Sequence, residues 1–233
     1  MTDVFARVST ALQGILDLGG PVVMLLLALS VVAAAVAIYK LWQLAAARVG
    51  RHARLQAALA AWDGGDRAAA LRAVRESRSH LAPLVETAMR APDDPNMRAR
   101  LEAEAENNLA KLEGGFRILD SIAQIAPLLG LFGTVLGMID AFRALQAAGA
   151  AVDPSVLAGG IWVALLTTAV GLAVAMPTQL VLTWLEGRVS RDRAFAEVAL
   201  ARTRVQMGAE ATALSSGQPV PARAGMGRPA PQA

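Results

Sequence analysis

Three long apolar stretches without a charged residue constrain this chain more than any other feature. They cover residues 18–39, 121–139 and 154–185. A helix rises about 1.5 Å per residue, so about 20 residues are needed to cross a hydrocarbon layer about 30 Å thick. The first stretch is long enough, the second is near the minimum, and the third predicts a helix that tilts or projects beyond the bilayer. We therefore expect an all-α membrane protein with three transmembrane helices.

A cleaved signal peptide is the alternative interpretation of the first stretch, because the small residues at 33–37 resemble a processing site. The leader ahead of it is long and carries Asp3 and Asp17 beside one arginine. The stretch also exceeds the roughly 7–15 apolar residues of a signal-peptide core. These features favour a membrane helix.

Basic residues in the flanks predict the orientation of the chain. Residues 48–117 contain twelve Lys and Arg and residues 188–233 contain seven, whereas the leader and the connection after the second stretch hold one each. Cytoplasmic flanks are enriched in Lys and Arg. We therefore expect the N-terminus outside the cytoplasm and the C-terminus inside, with long helices extending into a cytoplasmic helical domain.

The resulting organisation has eight segments, of which the last is rich in Pro and Gly and is expected to be disordered. In chain order they are a periplasmic N-terminus (1–17), transmembrane helix 1 (18–43), a cytoplasmic helical domain (44–117), transmembrane helix 2 (118–143), a periplasmic loop (144–153), transmembrane helix 3 (154–186), a cytoplasmic helical extension (187–207) and a cytoplasmic tail (208–233).

Several functional classes find little support in the sequence. Cysteine is absent, and the two histidines, His52 and His80, lack metal-binding spacing and are expected at the surface. No phosphate-binding or nucleophile motif occurs. The excess of basic residues, 22 against 19 acidic, is not concentrated on an aromatic-bearing domain as nucleic-acid binding would require. We expect no enzyme activity, no metal, no cofactor and no nucleic-acid partner.

Small residues recur at steps of three and four in the last two predicted spans. Such stripes let helices pack closely, either within the chain or between copies of it. Threonine hydroxyls in these spans either bond back to their own helix or line a pore. The prolines each free a backbone carbonyl, which favours a kink or a bend. The stripes comprise Gly130, Gly133, Thr134, Gly137 and Ala141 in the second span and Ala164, Thr168, Gly171 and Ala175 in the third, with Thr167, Pro127 and Pro177 beside them.

Residues 122–139 and 164–177 together resemble the second and third membrane helices of the MotA/TolQ/ExbB proton channel family, and most closely those of ExbB and TolQ. The resemblance is strong over residues 119–193 and weaker over the first helix. It implies a pentamer around a central pore in the bacterial inner membrane. It also implies an ExbD- or TolR-like single-span partner whose intramembrane Asp carries protons, and a TonB- or TolA-like transducer.

On this resemblance, Thr134 and Thr168 match the pore threonines and are expected to face the proton path. A hydroxyl both donates and accepts, so it can relay a proton or hydrate the partner's carboxylate. The remaining candidates for pore lining or packing are Thr167, Val163, Gly133, Gly137, Gly171, Pro127 and Pro177.

One position departs from the family pattern. Many ExbB and TolQ proteins have a Glu where this chain has Val163, and residues 154–185 contain no acidic side chain. Because an intramembrane ionisable group usually marks a proton relay, the titrating carboxylate is expected from the partner. Asp120 and Asp140, at the two ends of the second span, are interpreted as interfacial caps or as pore-mouth residues.

Two further functions are compatible with the sequence. The Val163 substitution is compatible with a structural or assembly protein that has the family fold and does not conduct. A MotA-like stator is the second alternative, although flagellar members of the family have four membrane helices and three are visible here. ExbB and TolQ roles are not separated by any residue.

Overall fold

The computed structural model describes residues 2–91, 94–148 and 154–216, with side chains described over 20–203 except 92–93, 148–153 and 156. Seven α-helices and no strand occur in this part of the chain. The prediction of an all-α fold is therefore confirmed. The helices are α1 (Thr2–Ala46), α2 (Ala53–Asp63), α3 (Arg67–Glu76), α4 (Ala82–Arg90), α5 (Pro95–Glu113), α6 (Phe116–Ala148) and α7 (Pro154–Ser216).

Three of these helices contain segments long and apolar enough to cross a membrane, namely Gly20–Ala46, Phe116–Ala147 and Leu157–Thr203. The prediction of three helices long and apolar enough to cross a membrane is therefore confirmed. Within α1 the backbone breaks at Gly20, where φ is 59° and ψ is −165°. Only glycine adopts this region without strain, because it lacks a Cβ. Pro21 follows directly and begins the apolar section of the helix, where its missing N–H is tolerated.

The last two spans are longer than their uncharged stretches. Pro127 lies inside α6 and Pro177 inside α7, and both helices continue past their proline. α7 also extends to Ser216, so residues 208–216, which the sequence analysis assigned to a disordered tail, are helical. That stretch contains three alanines, one glutamate and one leucine, which favour helix. The rest of that tail and residues 149–153 of the predicted periplasmic loop lie outside the described residues.

The chain divides into two compact units. Unit 1 comprises residues 1–42 and 114–186 and holds the apolar parts of α1, α6 and α7. Many of its large apolar side chains are exposed, among them Val31 and Leu180. An exposed apolar surface of this extent is expected where lipid or another protein chain replaces water.

Unit 2 comprises residues 43–113 and 187–233 and has a core like that of a water-soluble helical domain. Its centre is formed by Leu55, Leu59 and Trp62 of α2, with α3, α4 and the small residues Ala196 and Ala199 of α7 packed against them. Polar side chains fix the ends and the surface. The carboxylate of Asp66 accepts a hydrogen bond from the backbone N–H of Ala69 at 2.8 Å and so caps α3.

Candidate functional site in the α6–α7 helix pair

Helices α6 and α7 of unit 1 contact each other through their smallest residues. A Cβ added at Gly133 would lie 2.6 Å from Oγ1 of Thr167, and one added at Gly171 would lie 2.6 Å from the carbonyl oxygen of Ala126. Neither distance leaves room for a methyl group. We call this contact the α6–α7 interface, formed by Ala126, Gly130, Gly133, Gly137 and Ala141 of α6 and by Gly160, Ala164, Thr167, Thr168 and Gly171 of α7.

The order of the contacts shows that the two helices are antiparallel. Gly130 faces Thr168 and Gly171. Further along α6, Gly137 faces Ala164, and a Cβ added at Gly137 would lie 3.0 Å from the Cβ of Ala164. Close antiparallel packing of this kind needs small residues on both helices, because bulky side chains would hold the backbones apart. The stripes predicted from the sequence therefore pack on each other within one chain.

Two threonine hydroxyls converge on the carbonyl of Gly130 at this interface. The hydroxyl of Thr168 donates to the Gly130 oxygen at 3.1 Å. The hydroxyl of Thr167 lies 2.7 Å from the Ala164 oxygen of its own helix and 3.3 Å from the Gly130 oxygen. Thr167 is buried and Thr168 is half-buried. The interface thus joins α6 to α7 by polar contacts as well as by close packing.

Thr134 makes a different contact from Thr168. Its hydroxyl donates to the carbonyl oxygen of Leu131 in α6 at 2.6 Å, and its side chain is half-buried. A threonine that bonds back to its own helix still has a free acceptor lone pair. The two predicted pore threonines are therefore bound to different carbonyls, one within α6 and one across the interface.

The other candidate residues are distributed around these threonines. Gly133 and Gly171 are buried and Gly137 is half-buried, all three in the α6–α7 interface. Val163 is half-buried, one position before the interface residue Ala164. The prolines lie outside this contact: Pro127 is half-buried and Pro177 is exposed.

The two aspartates of α6 have different surroundings. Asp120 is half-buried, whereas Asp140 is exposed and lies 3.7 Å from Arg143, with both side chains 75% exposed. An exposed pair of this kind contributes roughly 0–1 kcal/mol. Asp140 has the surroundings of an ordinary surface carboxylate.

Two further polar side chains of unit 1, Thr178 and Lys40, are buried. Thr178 is buried, and its hydroxyl donates to the Val174 oxygen of its own helix at 2.7 Å. Lys40 is only 4% exposed, and its Nζ lies 5.7 Å from the ring centre of Tyr39 and 5.9 Å from that of Phe116. Thr178 could have been found from its position in the third span, but the burial of Lys40 depends on contacts distant in sequence.

In unit 2, the expectation that both histidines lie at the surface is wrong. The side chains of His52 and His80 are 12% and 16% exposed, and both face the fully buried Asp192. Nε2 of His52 lies 2.8 Å from Oδ1 of Asp192, and Nε2 of His80 lies 3.6 Å from Oδ2. Burial lowers the pKa of His80 below its ordinary value, and the charge of Asp192 opposes this shift in part. No sequence signal identified Asp192.

Comparison with known proteins places these helices in a family. The model of the MotA/TolQ/ExbB proton channel family matches residues 69–197. Biopolymer transport protein exbB1 of Vibrio cholerae is 41% identical over 85 residues, which cover 35% of this chain and 37% of that protein. The Tol-Pal system protein TolQ of Haemophilus influenzae is 36% identical over 105 residues, which cover 42% of this chain and 45% of that protein.

A third relative is a putative biopolymer transport protein, an ExbB homolog of Methanothermobacter thermautotrophicus, which is 40% identical over 84 residues covering 36% of this chain and 29% of that protein. The chain thus spans less than half the length of each of these relatives. The family model itself covers more than half of the chain and includes α6 and most of the apolar part of α7. The chain therefore belongs to the MotA/TolQ/ExbB proton channel family.

Proposed function

We propose that this chain is a wall subunit of a proton channel in an energy-transducing membrane complex of the ExbB/TolQ type. It makes and breaks no covalent bond in this role. Its helices instead provide a protected path along which a proton reaches a carboxylate on a partner protein. The proton motive force then drives movement of that partner, which is transmitted to TonB-dependent transport or to a Tol-type envelope function.

The observation that carries the proposal is the polar cluster in the α6–α7 interface. The hydroxyls of Thr167 and Thr168 converge on the carbonyl of Gly130 in helices that are otherwise apolar. Each hydroxyl oxygen keeps acceptor capacity, and a hydroxyl can donate to a water or a carboxylate instead of to the carbonyl. We assign Thr168 and Thr134 to the proton path, and Thr167, with its buried side chain, to the packing of the two helices.

The composition of the third span supports the proposal that a partner protein supplies the side chain that binds and releases the proton. Residues 154–185 contain no ionisable side chain, and Val163 occupies the position where a glutamate would be expected. A proton path through an apolar region needs a group that binds and releases the proton. In this proposal an ExbD- or TolR-like single-span protein supplies it as an intramembrane Asp.

The exposed apolar surface of unit 1 supports assembly with other copies of the chain. Leu128, Leu131 and Phe132 of α6 and Trp162 and Leu165 of α7 are all more than half exposed. In a membrane such surfaces face either lipid or another subunit. We propose a pentamer in which copies of α6 and α7 surround a central pore that encloses the partner helices.

The chain is a multi-pass membrane protein, as its three apolar helices and its family indicate. We place it in the bacterial inner membrane, with the N-terminus in the periplasm and the C-terminus in the cytoplasm. The distribution of Lys and Arg, which are abundant in residues 48–117 and 188–233, supports this orientation.

The test of the proton path is the substitution Thr168→Val, which removes the hydroxyl and nearly preserves the volume. Thr178→Val is the matched control, because Thr178 is a threonine of the same helix whose hydroxyl bonds only to its own helix among the contacts seen. We expect Thr168→Val to abolish energy-dependent uptake or envelope integrity at normal protein abundance, and Thr178→Val to leave both intact. Equal activity of the two variants would remove Thr168 from the mechanism.

Copurification tests the partner separately. The protein extracted gently from native membranes should carry a single-span protein with an Asp inside its membrane segment. Recovery of this chain alone would contradict the proposal and would favour a structural protein of the same fold that does not conduct.

A further inference from the structure

A cavity of about 640 Å³ opens in unit 2 beside the loop that follows α1. This loop connects α1, which ends at Ala46, to α2, which begins at Ala53. The residues that follow α3, among them Ser77, Arg78 and Ser79, also line the cavity. The volume is large enough for a phosphate group together with several ordered waters.

The lining of this cavity has an excess of positive charge. Four arginines and one acidic residue, Glu76, contribute to it, and His52 belongs to the same lining. Glu76 is engaged by Arg54, which lies 3.8 Å from its carboxylate and donates to its backbone carbonyl at 2.9 Å. The arginines are Arg48, Arg51, Arg54 and Arg78.

The remaining three arginines have no ion pair within the described part of the chain. Arg51 and Arg78 are exposed and Arg48 is half-buried. Like charges gathered without counter-ions repel one another, and an anion bound among them relieves that repulsion. The guanidinium group binds phosphate with two parallel N–H donors, so this residue type fits a phosphate better than a lysine would.

The loop that carries Arg48 and Arg51 is fixed by α7 rather than free. The guanidinium of Arg188 donates to the carbonyl of Val49 at 2.9 and 3.2 Å. The backbone N–H of Gly50 donates to Asp192 at 2.8 Å. Arg48 itself has a φ of 53°, which is uncommon for a residue with a side chain. The contacts at Val49 and Gly50, directly after Arg48, hold the loop in this conformation, so the backbone that carries Arg48 and Arg51 is in place before any ligand binds.

The N-terminus of α2 adds to the positive potential. Ala53 and Arg54, the first residues of this 11-residue helix, line the cavity. No side chain caps this end, and no acidic residue lies in its first turn. The partial positive charge of a helix N-terminus favours an anion. It acts here in the same direction as the arginines.

We propose that this cavity is a binding site for an anionic phosphate group, held by Arg48, Arg51 and Arg78 above the N-terminus of α2. The phosphate belongs either to the headgroup of an anionic phospholipid or to a free phosphate compound. Arg48 and Arg51 follow the apolar segment Gly20–Ala46 within five residues of the chain, which brings a lipid headgroup within reach. This site is separate from the α6–α7 interface and does not depend on the proposed function.

The experiment uses the full-length protein in phosphatidylcholine nanodiscs and compares wild type with the double variant Arg51→Gln/Arg78→Gln. The control is Arg72→Gln/Arg100→Gln, which removes two other exposed arginines, neither of which lines the cavity. Binding of phosphatidylglycerol added to the nanodiscs is measured by native mass spectrometry. Binding of inorganic phosphate and of pyrophosphate is measured by titration calorimetry.

At least one of the three probes is expected to bind wild type. We expect the double variant to bind that probe roughly thirtyfold more weakly than wild type does, and the control variant to bind it as wild type does. A loss confined to phosphatidylglycerol identifies a lipid headgroup, whereas a loss for phosphate or pyrophosphate identifies a soluble ligand. Both results support the site. If no probe binds wild type, or if the double variant and the control lose affinity equally, the proposal is overturned.

Discussion

The α6–α7 interface and the surroundings of Asp192 both bury polar atoms, but they bury different kinds. In the interface the buried groups are neutral hydroxyls, such as that of Thr167, and they donate to backbone carbonyls. In unit 2 the buried group is the carboxylate of Asp192, which accepts from the backbone N–H of Gly50 and lies beside two histidines. Burying a neutral hydroxyl costs little free energy if the hydroxyl is hydrogen-bonded, whereas burying a carboxylate costs much more.

The two regions therefore depend on different properties of their residues. The interface depends on the absence of side chains, since glycine at 133 and 171 lets the helix backbones meet. Unit 2 depends on one specific side chain that joins the loop after α1 to α7. We expect the interface to be sensitive to added volume and unit 2 to be sensitive to a removed charge. The predictions below test this contrast, from the largest expected effect to the smallest.

The largest effect is expected from Asp192→Ala. It leaves the N–H of Gly50 and the ring of His52 without their acceptor, and each buried polar group left unsatisfied costs about 1–3 kcal/mol. Hydrogen exchange followed by mass spectrometry should show faster exchange of peptides from the loop after α1 and from α2. Glu197→Ala, which removes an exposed acid of the same helix, serves as control and should exchange as wild type does. Similar protection in both variants would mean that Asp192 does not hold this loop.

The next effect concerns added volume in the interface. Gly171→Ala places a methyl group 2.6 Å from the backbone oxygen of Ala126, so one helix must move, at a cost of about 1–3 kcal/mol. Gly159→Ala is the control, because no atom lies within 4 Å of its added methyl group. Unfolding by SDS in mixed micelles should require less SDS for Gly171→Ala and as much as wild type for Gly159→Ala. A normal midpoint for Gly171→Ala would contradict the close contact.

The sequence predicted the interface better than it predicted the surroundings of Asp192, for a physical reason. Small residues at steps of three and four mark one face of a helix. Two such faces on consecutive spans are expected to pack on each other, because small residues allow the two backbones to approach closely. The pairing of particular residues, such as Gly133 with Thr167, depends on the axial register of two helices, which no local pattern contains. His52 and Asp192 are 140 residues apart, and each is flanked by charged residues that are typical of a surface.

A smaller effect is expected from pH, through His80. Its pKa in the folded protein lies below the ordinary value of 6.5, since burial and the nearby His52 disfavour the charged form more than Asp192 favours it. As pH falls below about 6.5, the unfolded chain takes up a proton that the folded chain does not, so acid destabilises the fold until the folded pKa is reached. Above that range His80 adds no pH dependence.

The substitution His80→Gln removes this group and should flatten the fall in stability between neutral and mildly acidic pH. The measurement is the protection of unit 2 peptides from hydrogen exchange, corrected for the intrinsic effect of pH on exchange. Arg72→Gln, at an exposed position of α3, should keep the pH dependence of wild type. The same slope in His80→Gln and wild type would assign the acid sensitivity to another group.

The smallest effect separates the two threonines of the proposed proton path. Thr168→Val removes a hydrogen bond between helices, which in membrane proteins is worth about 0.6 kcal/mol on average. Thr134→Val removes only a bond to the carbonyl of Leu131 in the same helix, so its effect on stability should be close to zero. SDS unfolding should therefore rank Thr168→Val slightly below Thr134→Val. A stability loss this small cannot abolish folding, so a complete loss of proton-driven function in Thr168→Val would have to come from the missing hydroxyl. A large loss of stability in that variant would instead assign Thr168 to packing.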